Sequence, residues 1–208
     1  METMSRTSAG FTLVELLIAL ALSLVVLTSV SGAFISQRKT YDAQEQMTEM
    51  IQGTRAVMEI ITREVKLAGF DPQKGISGHT NVVGIPYSAN QLEIRADLDG
   101  DGTASASDSN ELIIYSLDSS DLELERNAGQ AWSYARLLAE NIQAFTVTYW
   151  KSDGTTQVTS TADQGDIRQI NITITARTAK PDPNYGLNSG YRTYTLTSVV
   201  APPNLAID

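Results

Sequence analysis

The stretch Ala9–Leu20, AGFTLVELLIAL, sets one carboxylate, Glu15, inside an otherwise apolar run. Reading outward, the 26 residues from Phe11 to Ser36 carry no other charge. As a helix they span about 39 Å, enough to cross a bilayer core of about 30 Å. Gln37-Arg38-Lys39 then suits a membrane boundary. A charge at mid-bilayer costs at least about 2.5–3.5 kcal/mol and usually marks function. A plain transmembrane anchor leaves Glu15 unexplained. So does a secretory signal peptide cut among the small residues Ser29 to Ala33.

The helical pattern does not stop at the apolar run. Met47, Met50, Ile51, Val57, Ile61, Val65 and Ala68 recur at spacings near three, four and seven, which is one apolar stripe. Arg55, Glu59, Arg63 and Glu64 fall largely off it. Gly69 and Asp71-Pro72 supply a stop. One helix is therefore expected from Phe11 to Ala68, apolar all round in its first half and amphipathic in its second.

Beyond residue 71 come short runs rich in Val, Ile, Thr and Tyr, punctuated by Gly, Pro, Asn and Asp. Strands are expected at Leu92–Arg95, Glu111–Leu117, Leu122–Arg126, Ile142–Trp150, Ile167–Arg177 and Tyr191–Val200. Asp153-Gly154 predicts a tight hairpin turn after Trp150. The expected fold class is α+β, with one antiparallel sheet packed on the amphipathic half of the helix.

Gly10-Phe11-Thr12-Leu13-Val14-Glu15-Leu16 resembles the class III signal of type IV prepilins and type II secretion pseudopilins. The resemblance implies cleavage after Gly10 by a prepilin peptidase and N-methylation of the new terminus, Phe11. Glu15 then falls at the fifth mature position. There it would meet the freed amine of a neighbouring subunit, each burying an otherwise unpaired charge, so that the pair sets register. Further along, REVKLAGFDP, LAENIQAFTVTYW, DIRQINITITART and VVAPPNL resemble PilW-type minor pilins and the related J-type minor pseudopilin. The implied organisation is a leader at 1–10, a transmembrane and filament-core half-helix at 11–36, an amphipathic half-helix at 37–70 and a pilin head at 71–208. The implied fold is type IV pilin-like. The implied partners are the prepilin peptidase, other minor and major pilins, an inner-membrane assembly platform and membrane lipid. The implied location is a single-pass inner-membrane form with a periplasmic head, and then a pilus or pseudopilus.

Asp97 to Asp108, DLDGDGTASASD, follows a twelve-residue calcium pattern: Asp97, Asp99 and Asp101 at positions one, three and five, Gly102 at six, Thr103, Ser105 and Asp108 at seven, nine and twelve. Position twelve is Asp rather than the usual Glu, and Glu111 just beyond is a substitute ligand. Ca²⁺ is the expected ion, against a solvated acidic turn. On this reading, removing Asp97 and Asp99 abolishes any calcium response and leaves calcium-free stability unchanged.

The 208 residues hold 24 Asp and Glu against 15 Lys and Arg, a net charge of −9, which excludes a nucleic-acid surface. There is no Cys, hence no disulfide or thiolate site. His79 is the single histidine and lies in a Gly-rich loop, so no catalytic constellation is expected. Trp132, Tyr134, Tyr149 and Trp150 make a second, aromatic candidate surface, more simply read as core and cross-strand pairs. Two function classes follow. One is an assembly protein, a PilW-like minor pilin that initiates or caps a type IV pilus, with a type II secretion pseudopilin as its variant. The other is a membrane-anchored, calcium-binding adhesion module that never polymerises.

Overall fold

The computed structural model describes residues 10–77, 81–108, 110–129 and 135–205. Its first element is one long helix, α1, Leu13–Val65. Eight strands follow among the described residues: β1 Gln91–Arg95, β2 Leu112–Asp118, β3 Glu123–Ala128, β4 Arg136–Ala139, β5 Ile142–Trp150, β6 Gln157–Val158, β7 Gln169–Arg177 and β8 Thr193–Val200. The chain divides into two compact units between Glu45 and Gln46. That boundary falls inside the expected amphipathic half, because consistent side-chain burial begins only at Gln46 and Met47.

In the first unit the α1 side chains from Leu13 to Tyr41 are exposed all round. α1 is long and apolar enough to cross a membrane. Its few hydroxyls are satisfied within the helix. Ser23 donates to the Ala19 carbonyl at 2.7 Å, Thr28 to that of Leu24 at 2.9 Å and Ser29 to that of Val25 at 2.8 Å. Such back-bonding hides polar groups from lipid without breaking the backbone ladder.

In the second unit α1 buries Thr54, Val57, Met58, Ile61 and Val65. Thr54 belongs to this face despite its hydroxyl, which donates to the Met50 carbonyl at 2.7 Å. The helix stops at Val65, three residues short of expectation. The N–H groups of Leu67 and Ala68 turn back to the carbonyls of Glu64 and Val65, and that of Gly69 goes instead to Arg95 of β1 at 2.9 Å. Arg95 N–H in turn donates to the Gly84 carbonyl at 2.8 Å. Gly69 has φ +72°, and a Cβ on Gly84 would collide with the Gly69 backbone, so both glycines are required at this crossing.

The expected single sheet is two. β1-β2-β3-β4 and β6-β5-β7-β8 are separate four-stranded antiparallel sheets. β4 and β6 were not anticipated; they are four and two residues long, too short for a periodic signal. The Asp153-Gly154 turn forms as expected, with Gly154 at φ +66° and Lys151 N–H donating to the Thr156 carbonyl at 2.9 Å. Both sheets contribute to one core with the helix: Leu92, Ile94, Ile113, Tyr115 and Leu124 from the first, Ile142, Tyr149, Ile170, Ile172 and Ile174 from the second. Each such burial stabilises by about 1.5–3 kcal/mol.

One polar knot lies within that core. The β2 residue Tyr115 is fully buried and its hydroxyl donates to Glu64 of α1. Arg126 of β3 grips the same carboxylate with two nitrogens, Nη2 at 2.8 Å and Nε at 3.1 Å. Burial and then the Glu64 charge push the Tyr115 hydroxyl pKa far above the ordinary phenol value, so it stays a donor. Glu64→Ala orphans a buried hydroxyl and a half-buried guanidinium together. It should cost about 2–3 kcal/mol. For a head of this size that is a melting point lower by roughly 5–10 °C, read by circular dichroism. Glu59→Ala, whose ion pair with Arg63 is exposed, should shift it little.

Candidate functional site

Two places carry the candidate residues. The first is the approach to α1. Gly10, Phe11 and Thr12 are outside the helix, which begins at Leu13. The bond between Gly10 and Phe11 therefore sits in exposed, non-helical chain. A Cβ built on Gly10 meets nothing within 4 Å, so this fold does not require the glycine. Glu15 has a local task that the sequence reading missed. Thr12 N–H and Thr12 Oγ1 both donate to Glu15 Oε2 at 3.0 Å, and Glu15 N–H donates to Thr12 Oγ1 at 3.2 Å. This reciprocal arrangement is a capping box, and its signal, Thr-x-x-Glu ahead of an apolar run, was present in Thr12 to Glu15.

The second place is the acidic loop between β1 and β2. Asp97 is fully buried and Glu111 nearly so. Asp97 N–H donates to the Phe70 carbonyl at 2.8 Å, tying the loop to the end of the helix. The Asp97 carboxylate accepts from Gly100 N–H at 2.7 Å and Gly102 N–H at 2.9 Å. Glu111 accepts from the N–H groups of Leu98, Asp99 and Ser105. Carboxylate oxygens of Asp97, Asp99 and Glu111 lie within 4.8 Å of one another, as do those of Asp99, Asp101 and Asp108. Glu111 thus joins Asp97 in the group where Asp108 was expected to close the loop. The hydroxyl of Thr103 donates to Asp101 at 2.9 Å, and that of Ser105 lies 2.6 Å from Ser107 Oγ. At Asp99 the Asp101 N–H lowers the carboxyl pKa, but desolvation and the charges of Asp101, Glu111 and Asp108 outweigh it and leave it raised. Gly129, at φ +78°, lets the end of β3 pass this loop, because a Cβ there would press on the carbonyl oxygens of Ala106 and Asp108.

The family described as prepilin peptidase-dependent protein B matches residues 43–200. The chain belongs to that family. The prokaryotic N-terminal methylation motif matches residues 5–31, which include Gly10, Phe11 and Glu15. Among solved structures, a type IV-like pilin from Thermus thermophilus is similar at 14% identity and TM-score 0.43, over 74% of this chain and 97% of that one. No curated protein matches.

As a member of the prepilin peptidase-dependent protein B family, the chain combines an N-terminal methylation motif, one helix among the described residues that is long and apolar enough to cross a membrane, and a β-rich head. Of the aromatic candidates, Tyr149 is core, edge-on to Tyr87 with ring centroids 5.5 Å apart. Trp150 is half-buried and donates to Thr148 Oγ1 at 3.1 Å. Trp132, Tyr134 and His79 lie outside the described residues.

The geometry also revises the expectation that Asp97 and Asp99 are dispensable without calcium. Asp97→Ala removes both acceptors that hold Gly100 and Gly102. It should lower the melting point in chelator, by about 1–3 kcal/mol of stability. Asp99→Ala, at an exposed position under like-charge repulsion, should leave it unchanged or raise it. Thermal melts of the two variants in chelator decide this.

Proposed function

We propose that this protein is a PilW-like minor pilin. The prepilin peptidase cleaves it between Gly10 and Phe11, and Phe11 is N-methylated. α1 inserts in the inner membrane with the head on the periplasmic side. The subunit then passes into a type IV pilus, where it helps to initiate or cap the filament. The observation that carries this reading is the pairing of a non-helical Gly10–Phe11 bond, free of packing demands, with Glu15 one turn into an exposed apolar helix. During docking Glu15 exchanges part of its local cap for the Phe11 amine of a neighbour. The assembly platform and neighbouring pilins hold the rest of the helix by shape.

The cap and the charge are separable. Glu15→Gln keeps an acceptor for Thr12 but removes the charge, and Glu15→Ala removes both. Both variants should be processed normally, with mass spectrometry finding N-methyl-Phe11 at the terminus. Both should enter sheared filaments at least roughly tenfold less than wild type, equivalent to about 1.4 kcal/mol. Wild-type incorporation of Glu15→Gln would mean that Glu15 serves only as a cap. A full-length precursor in the membrane would remove the pilin reading altogether.

We also infer that the acidic loop takes up Ca²⁺, with Asp97, Asp99 and Glu111 as the central carboxylates and Asp101, Thr103, Ser105 and Asp108 around them. Support comes from two buried carboxylates that no described lysine or arginine pairs with. A dication would offset their mutual repulsion and supply the hard-ion partner that such oxygens suit. At a hundredfold excess over its dissociation constant, Ca²⁺ should stabilise the fold by about 2.7 kcal/mol. The full chain in detergent should melt higher in millimolar calcium than in chelator, and Asp99→Ala should reduce the difference. Equal melting points would make the loop an acidic turn only.

A further inference from the structure

Apart from the acidic loop, the head carries a second concentration of carboxylates that the fold does not neutralise. Asp118 of β2 and Glu123 of β3 are cross-strand partners. Leu124 of β3 pairs with Ala139 of β4, which sets the next residue, Glu140, alongside Glu123. Asp121 lies in the turn between β2 and β3. Like charges directly opposite one another destabilise a sheet. Desolvation, then the charges of Asp121, Glu140, Glu125 and Asp118, hold the Glu123 carboxyl above its ordinary value. Asp118, Asp121, Glu123, Glu125 and Glu140 form no ion pair with a lysine or arginine among the described residues.

Glu140 also lines a groove of about 550 Å³. α1 supplies Met50 and Ile60 to it, and β4 supplies Leu137 and Leu138. Leu137 is 49% exposed, so the groove is open to a partner. Glu49 of α1 lies on the same groove, exposed and outside any ion pair among the described residues. The lining cation, Arg177, is engaged with the Tyr191 ring, 4.3 Å from its centroid. Gly53 belongs to the α1 wall. A Cβ there meets nothing within 4 Å, so the fold does not need a residue that costs helix stability. What the glycine provides is room for a second backbone to come close.

We propose that this groove receives an amphipathic helix of a different polypeptide. Its apolar face lies against Met50, Ile60 and Leu137, and its flank beside Glu123 and Glu140 is rich in Lys and Arg. Laying an amphipathic helix into an apolar groove is a recurrent mode of recognition. Met50 to Ile60 covers about 15 Å of α1, so about three turns of the partner make contact. Charge selects the partner. The row of carboxylates lacks a counter-charge within the chain, and a basic flank supplies one. A second copy is the wrong occupant on the same ground, because a chain of net charge −9 brings more repulsion than attraction to this row. The proposal goes beyond the minor-pilin reading, and rests neither on it nor on the calcium site.

The test uses the full chain in neutral maltoside micelles, with binding to empty micelles subtracted. The probe is the fluorescein-labelled peptide Lys-Leu-Ala-Lys-Leu-Ala-Lys-Lys-Leu-Ala-Lys-Leu-Ala-Lys-amide, whose leucines share one helical face and whose lysines share another. Fluorescence anisotropy should show it binding the wild-type chain, more weakly as salt is raised. Glu123→Gln with Glu140→Gln should weaken binding at least about tenfold. Because it relieves repulsion, this pair should leave the melting point unchanged or higher. Gly53→Leu fills the groove where the fold has room, and should also weaken binding at least about tenfold. A peptide of the same composition, with its leucines scattered round the helix, should bind more weakly than the probe by a similar factor. No binding beyond that of the micelles, or binding that either substitution leaves intact, would overturn the proposal. Equal binding of the scattered peptide would overturn it too, as charge attraction without a groove. So would self-association of the chain that Gly53→Leu abolishes, which would mark a second copy as the occupant.

Discussion

The apolar stripe of α1 that opens at Gln46 and Met47 and closes at Val65 cannot be left in water, and the head is organised around covering it. Two four-stranded sheets do so. Both contribute side chains to the core that covers it, and Ile61 and Val65 end fully buried. The polar knot of Glu64, Tyr115 and Arg126 sits beside that stripe. It ties the first sheet to the last turns of the helix, so the alignment of helix and sheet is specified as well as favoured. From Leu13 to Ser36 the same helix is apolar nearly all round and exposed, which suits a bilayer better than water.

Where the helix ends determines where the acidic loop lies. Gly69 donates to Arg95 and Phe70 accepts from Asp97, so both sides of the β1 terminus are pinned to the end of α1. Asp97 is carried into the interior by that attachment, and its carboxylate then organises the turn by accepting from Gly100 and Gly102. Glu111 does the same from the start of β2. The loop is thus a shaped arrangement of carboxylates whose backbone is already bonded, which keeps the ordering cost of binding a cation small.

On the proposed reading, Glu15 serves first the folded chain and then the assembly. Alone, it closes the first turn of α1 against Thr12. A carboxylate at that position also complements the positive end of the helix. The bond ahead of it, between Gly10 and Phe11, is left outside the helix by the same cap.

Much of this was legible in the residues themselves. The helix, its change of character along its length, the processing segment, the Asp153-Gly154 turn and strands such as Ile142–Trp150 all follow from local pattern, because helix and strand periods and turn conformations are properties of neighbouring residues. Even the capping box was written in Thr12 to Glu15. Tertiary structure alone decided the rest. The division into two sheets, the strands β4 and β6, and the placing of Glu111 rather than Asp108 beside Asp97 all depend on which distant segments meet. Burial of Asp97 follows from its bond to Phe70. Such pairings join residues far apart in the chain, whose compatibility no local period records.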